Sequence, residues 1–235
     1  MNAEAIDPAR ANSVVRRGMV LTGLGLVGVA AVMVLALQFT PVEARQGLAQ
    51  KIFYIHVPSA WCAMLAVVLT GLTSMLYLWL DDPRLDRFAA SSAEVGTVFC
   101  GVVLTTGPIW ARPIWGAWWT WDGRLTLTLF LFFLLLGYHT MRGALRDPAE
   151  RGRFSAVLGI MALVLIPFIH LSVYLWRGLH PRPIVLKPDA PSLPPEMLHT
   201  LLISFATFSF LYLGLVTLRY GIQLAADARE AADAR

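Results

Sequence analysis

Residues 115 to 126 read WGAWWTWDGRLT, four tryptophans, an aspartate and an arginine within twelve positions. Five of the chain's eight tryptophans fall between 110 and 121. Indole offers a large apolar face with few rotatable bonds, which suits a flat aromatic ligand. Trp115, Trp118, Trp119 and Asp122 stand at offsets of 0, 3, 4 and 7, one stripe of a helix. The stretch is therefore expected to form a short amphipathic helix lying along a membrane surface. An aromatic belt is the competing explanation, because tryptophan is enriched wherever a chain meets lipid headgroups. Belts are less concentrated than this, and a ligand platform is the preferred reading.

The elements that must carry this platform follow from composition. Hydrophobic residues make up 57% of the 235, charged residues 14%, and the mean hydropathy is +0.63, outside the range of soluble domains. Six runs approach the ~20 residues a helix needs to cross a bilayer: about 19–39, 57–80, 95–111, 124–141, 156–175 and 197–219. LTLTLFLFFLLLGYHTM, residues 125 to 141, lacks the strict alternation of a membrane β-strand. The fold class is all-α, a polytopic membrane protein read as a single integral domain over 1–235. The first run follows Arg16 and Arg17 and precedes Val42-Glu43-Ala44, a weak cleavage-site pattern. Its apolar core exceeds the about 7 to 15 residues of a cleavable signal, so it is read as a retained helix.

Positive charge orients the helices, since Lys and Arg in short loops stay on the cytoplasmic side. With both termini cytoplasmic, twelve of the nineteen Lys and Arg lie on the inner side. The same orientation puts the tryptophan stretch outside. The net charge of +4 is then mostly a topology signal, and no nucleic-acid partner is implied.

On this frame His56 opens the second helix, His180 closes the fifth and His199 opens the sixth, all at the outer face. His170 falls in the outer half of the fifth helix and His139 at the inner end of the fourth. Imidazoles from separate loops, beside an indole surface, suit haem: its iron takes axial imidazoles and its ring needs an apolar wall. Its propionates want cations, for which Lys51, Arg112 and Arg124 are candidates, although each is also an ordinary interfacial cation. Whether Asp122 and Arg124 meet a ligand, pair with each other or cap the fourth helix is left open by the residues themselves. His170 at membrane depth is equally consistent with function and with a bond to a neighbouring helix.

Three segments, KIFYIHVPSA (51–60), TGPIWARPIWGAWWTWDGRLT (106–126) and PFIHLSVYLWRGLHP (167–181), resemble the haem exporter protein C family of the system I cytochrome c maturation machinery. The tryptophan stretch looks like that family's WWD signature. The resemblance implies that His56 and His180 are the two axial ligands of haem b. It also implies that the platform of Trp115, Trp118, Trp119, Trp121 and Asp122 holds haem at the periplasmic face of the bacterial inner membrane. Haem would then pass to a periplasmic haem chaperone, within a complex of ATP-binding cassette subunits and a small membrane subunit. Lys51 stands where the family often has Arg, so a propionate contact there would lack the bidentate fork of guanidinium. Pro181 follows His180 where the family often has Gln.

Other features are bland. GLGLVG (23–28) matches a dinucleotide fingerprint only formally, since that motif works between a strand and a helix; in a spanning helix it means close packing. Cys62 and Cys100 are isolated, with no C-x-x-C-H for covalent haem attachment. The Pro-rich stretch 181–197 is expected to be an outer loop whose stiffness could hold a docking surface or merely span the gap. A haem-binding handover subunit, not an enzyme, is the leading functional class. A haem lyase would also need to bind a peptide with paired cysteines, and a cytochrome b-like electron carrier would need paired histidines at membrane depth.

Overall fold

The computed structural model describes residues 7–176, 178–182, 187 and 192–233, and these are helical almost throughout. Six helices follow one another: α1 Pro8–Val34, α2 Phe53–Leu80, α3 Pro83–Trp115, α4 Gly123–Ala144, α5 Pro148–Leu175 and α6 Pro195–Asp233. Each is long and apolar enough to cross a bilayer, and no strand occurs among the described residues. A single wide π-turn, Leu35–Phe39, continues α1, and a 3₁₀ turn, Leu48–Ile52, leads into α2.

All six expected helices are present, and most extend well beyond their apolar windows. The helices expected from 19, 95 and 156 begin at Pro8, Pro83 and Pro148. Each of these starts with the same two residues. Asp7, Asp82 and Asp147 accept hydrogen bonds from the backbone N–H two positions on, at 2.9, 2.9 and 3.2 Å. Proline at the first helical position loses nothing, because its missing N–H would have no partner there. The polar first turns of α1, α3 and α5 are helical because they are capped.

The short tryptophan-rich helix is not formed. Helix α3 runs on to Trp115 and stops at Gly116, whose φ of 75° lies in the left-handed region that glycine enters without steric cost. Arg112 seals the end, its Nη1 donating to the Gly116 carbonyl at 2.6 Å. Residues 116 to 122 are irregular, and Asp122 then caps α4 through Leu125 N–H at 3.0 Å. A cap at each edge leaves only residues 117–121 between them, little more than one turn and too short a run to sustain a separate helix.

Helix α2 is central, packing against α3, α5 and α6, while α4 rests on α3 and α5. Helix α1 lies almost wholly against α6. Its buried positions, Ala11, Gly18, Gly25 and Val32, recur every seven residues. A Cβ on Gly18 would lie 2.4 Å from the Leu218 Cα, and one on Gly214 would lie 2.7 Å from the Thr22 N. Small residues let the two backbones touch, the usual device where lipid supplies no hydrophobic drive between helices. Gly25 and Gly28 of the GLGLVG run face Leu211 and Thr207 in this seam, whereas Gly23 meets nothing.

Ion pairs gather at the end where α1, α3 and α5 begin. Arg142 grips Asp86 with two bonds of 2.6 and 3.0 Å, Arg219 meets Glu94 at 2.7 Å, and Arg87 meets Asp227. His139 bonds Thr97 Oγ1 at 2.9 Å beside them. The histidine and tryptophan cluster occupies the opposite end.

Candidate functional site

His56 lies in the first turn of α2 and its ring meets the C-terminal part of α3. Its Nδ1 is 2.9 Å from Thr106 Oγ1, and that hydroxyl donates its own proton to the Val102 carbonyl at 2.7 Å. The hydroxyl proton being spent, Thr106 accepts and His56 Nδ1–H donates. The remaining nitrogen, Nε2, therefore carries an unshared lone pair. Trp110 meets the imidazole edge to face at 5.7 Å, and its own Nε1 donates to Gln46 Oε1 at 3.1 Å. A Cβ on Gly107 would lie 3.2 Å from His56 Cε1, so this position leaves the ring little room to spare.

His180 reaches the same end from the other side, five residues past the last turn of α5. Its Nδ1 bonds the Pro181 carbonyl at 3.0 Å. A carbonyl only accepts, so here too Nδ1 is protonated and Nε2 is free. The two histidines and Arg124 lie near enough to feel one another's charge. Burial, then the Arg124 charge, pushes the His180 imidazole down to about 4, against the opposing pull of Asp122. It is neutral at physiological pH and able to donate to a metal.

Asp122 joins the two halves. Its Oδ1 caps α4, its Oδ2 accepts from Thr120 Oγ1 at 3.0 Å, and its Cβ presses on Gly178, two residues before His180. Gly123 packs as closely on Trp176. A narrow cleft between these segments is lined by Asp122, Arg124, Ser172, Trp176 and His180. Of the alternatives the sequence leaves open for Asp122, helix capping is realised.

The tryptophans divide. Trp118 and Trp121 are exposed at 59% and 77%. Trp119 stacks edge to face on Trp121 at 5.8 Å and buries its Nε1 without a partner among the described residues. Trp115 is half-buried where α3 ends. Among the candidate cations, Arg124 is half-buried, lines the same cleft as His180 and is near enough to His56 for its charge to act there. Arg112 is exposed on the α3 cap. Lys51 is buried, its ammonium donating to the Thr40 and Pro41 carbonyls that end α1. That pairing ties the segment after α1 to the start of α2. His199 is exposed in the first turn of α6, and His170 is exposed on α5 with its Nδ1 3.2 Å from the Ile166 carbonyl of its own helix.

Thr106, Gly107, Trp176 and Gly178 belong to this site and were not singled out from sequence. Their partners lie at separations that no helical or strand period connects. The donor set is suggestive. Among the described residues no group of three His, Cys, Asp or Glu could hold a metal ion. A metal held here by two imidazoles must bring its other ligands with it, as haem iron brings four pyrrole nitrogens.

The fold is that of a polytopic helical membrane protein, with His56, His180 and the tryptophan segment toward one end of its bundle. A family model described as heme exporter protein C matches residues 3–235. The chain belongs to that family. It is 33% identical over 206 residues to "Heme exporter protein C" of Haemophilus influenzae, covering 88% of this chain and 81% of that one. It is 35% identical over 175 residues to the protein of the same name in Bradyrhizobium diazoefficiens, covering 74% and 66%. A "Putative cytochrome c biosynthesis ccmC-like mitochondrial protein" of Marchantia polymorpha is 33% identical over 196 residues, covering 83% of each.

Proposed function

We propose that this chain binds haem b as cargo between His56 and His180 and hands it to a periplasmic haem chaperone during cytochrome c maturation. The observation that carries the reading is the matched state of the two imidazoles: each spends its Nδ1 proton on a fixed oxygen and leaves Nε2 free, at the same end of the bundle. Bound haem would supply the iron, an apolar ring and two carboxylates. Arg124 is the cation best situated for a propionate, since it lies near both histidines and no hydrogen bond occupies its guanidinium among the described residues. The exposed indoles of Trp118 and Trp121 shield the ring and offer the chaperone an apolar landing. Asp122 acts through the backbone it caps and the glycine it supports.

The excess of Lys and Arg at the opposite end supports an orientation with the site on the periplasmic side of the inner membrane. No chemical step is required of the chain in this reading, which makes it the binding subunit of a larger assembly with ATP-binding cassette and small membrane subunits. Purified protein should show the absorption spectrum of low-spin iron with two imidazole ligands. His56→Ala and His180→Ala should each abolish it. Retention of that spectrum in either variant would refute the ligand assignment.

A further inference from the structure

We infer that Thr106 is the positioning residue for His56, fixing which nitrogen of the imidazole is presented to iron; the inference rests on the haem reading above and deepens it. The geometry is a relay of three groups on two helices. The Val102 carbonyl takes the Thr106 hydroxyl proton at 2.7 Å, which turns the hydroxyl's lone pairs toward the neighbouring helix. His56 Nδ1–H donates to them at 2.9 Å. Thr106 thus has one assigned proton and one assigned acceptor role, and the imidazole follows. Without the hydroxyl, Nδ1–H would face an apolar α3 surface, and the ring would gain by flipping or by moving its proton to Nε2. Either change removes the lone pair that iron requires.

Gly107 and Trp110 complete the device. The ring edge packs against Gly107, where a Cβ would stand 3.2 Å from Cε1, and Trp110 closes the next turn of α3 edge to face. One helix therefore provides the acceptor, the clearance and the wall for a ligand carried by another. Outer partners of this kind orient metal-binding histidines and raise their basicity, and their loss typically weakens metal binding about 10- to 100-fold. An Nδ1–H that donates a hydrogen bond also makes the opposite nitrogen a stronger electron donor. Ferric iron is favoured over ferrous as a result.

The test uses the full chain with ¹⁵N-labelled histidine. In the haem-free protein, nitrogen shifts should report His56 as the Nδ1–H tautomer. Thr106→Val and Thr106→Ala should move it toward the Nε2–H form, and Thr106→Ser should restore it. In the haem-loaded protein, both disruptive variants should lose haem about 10- to 100-fold more readily and show a more positive reduction potential, with Ser again reverting both. A purely structural role would leave the tautomer and the potential unmoved, and that result in a folded Val or Ala variant would overturn the proposal. If the unsubstituted chain takes up no haem, the functional reading fails, while the tautomer experiment still decides the role of Thr106.

Discussion

Asp122 fills the space that Gly178 leaves open: a Cβ built on that glycine would lie 2.9 Å from the Asp122 Cβ and 3.2 Å from its carboxyl carbon. The loop bearing His180 is seated on the residue that ends the irregular stretch between α3 and α4. Neither neighbour is the loose end of a flexible side chain, because Asp122 is fixed by its cap to α4. Gly178→Ala should therefore displace the His180 segment and weaken haem retention about tenfold, the scale of a modest overpacking penalty. Gly137→Ala, where nothing lies within 4 Å, should leave retention unchanged. Equal retention in the two variants would contradict the seating.

If Asp122 acts as a cap and a seat, charge is secondary to shape. Asparagine caps helices as well as aspartate does, whereas alanine costs about 1 kcal/mol. Asp122→Asn should retain most haem binding and Asp122→Ala should lose much of it, read by titrating haem into each variant. Equal loss in both would return the carboxylate charge to a direct role.

Arg124 and Arg112 separate by their surroundings, one half-buried in the cleft beside His180 and the other spent on a helix end. Arg124→Gln should lower affinity for haem while leaving affinity for haem dimethyl ester, which lacks carboxylates, nearly unchanged. Arg112→Gln should alter neither by more than about twofold, the range of exposed charges. The reverse ranking would reassign the propionate contact.

His180 gives the pH expectation. Burial and the Arg124 charge bring it to about 4 from the ordinary 6.5, so between these values the unfolded chain binds the proton and the folded chain does not. Its contribution to stability is complete above about 6.5 and is lost as pH falls toward 4. NMR of the haem-free protein should find His180 neutral at pH 5.5, and Arg124→Gln should raise its midpoint. A midpoint near 6.5 in the unsubstituted protein would remove the burial argument.

Much of this arrangement is legible in sequence, and the exceptions are instructive. The six spans follow from apolar length alone. The true starts of α1, α3 and α5 lie in polar segments, and the Asp-Pro pairs at 7–8, 82–83 and 147–148 carry that information where hydropathy does not. The offsets of Trp115, Trp118, Trp119 and Asp122 suggest a helix, but Gly116 and the capping preference of Asp122 override periodicity over so short a run. The bonds of Lys51 to the carbonyls of Thr40 and Pro41 are not legible, because backbone acceptors leave no trace in side-chain pattern. The partnership of His56 with Thr106, fifty positions apart, depends on how α2 meets α3 and has no local signature.

The seam of glycines between α1 and α6 bears on how the molecule is made. During synthesis α1 enters the bilayer well before α6 exists, and its few buried positions have nowhere else to go. Apart from the contacts of its last turns with the start of α2, it must wait in lipid largely unpacked until the closing helix emerges. Assembly is then sealed by a late clasp, and a ribosome that stalls before α6 would leave behind an unlatched bundle for quality-control proteases to find.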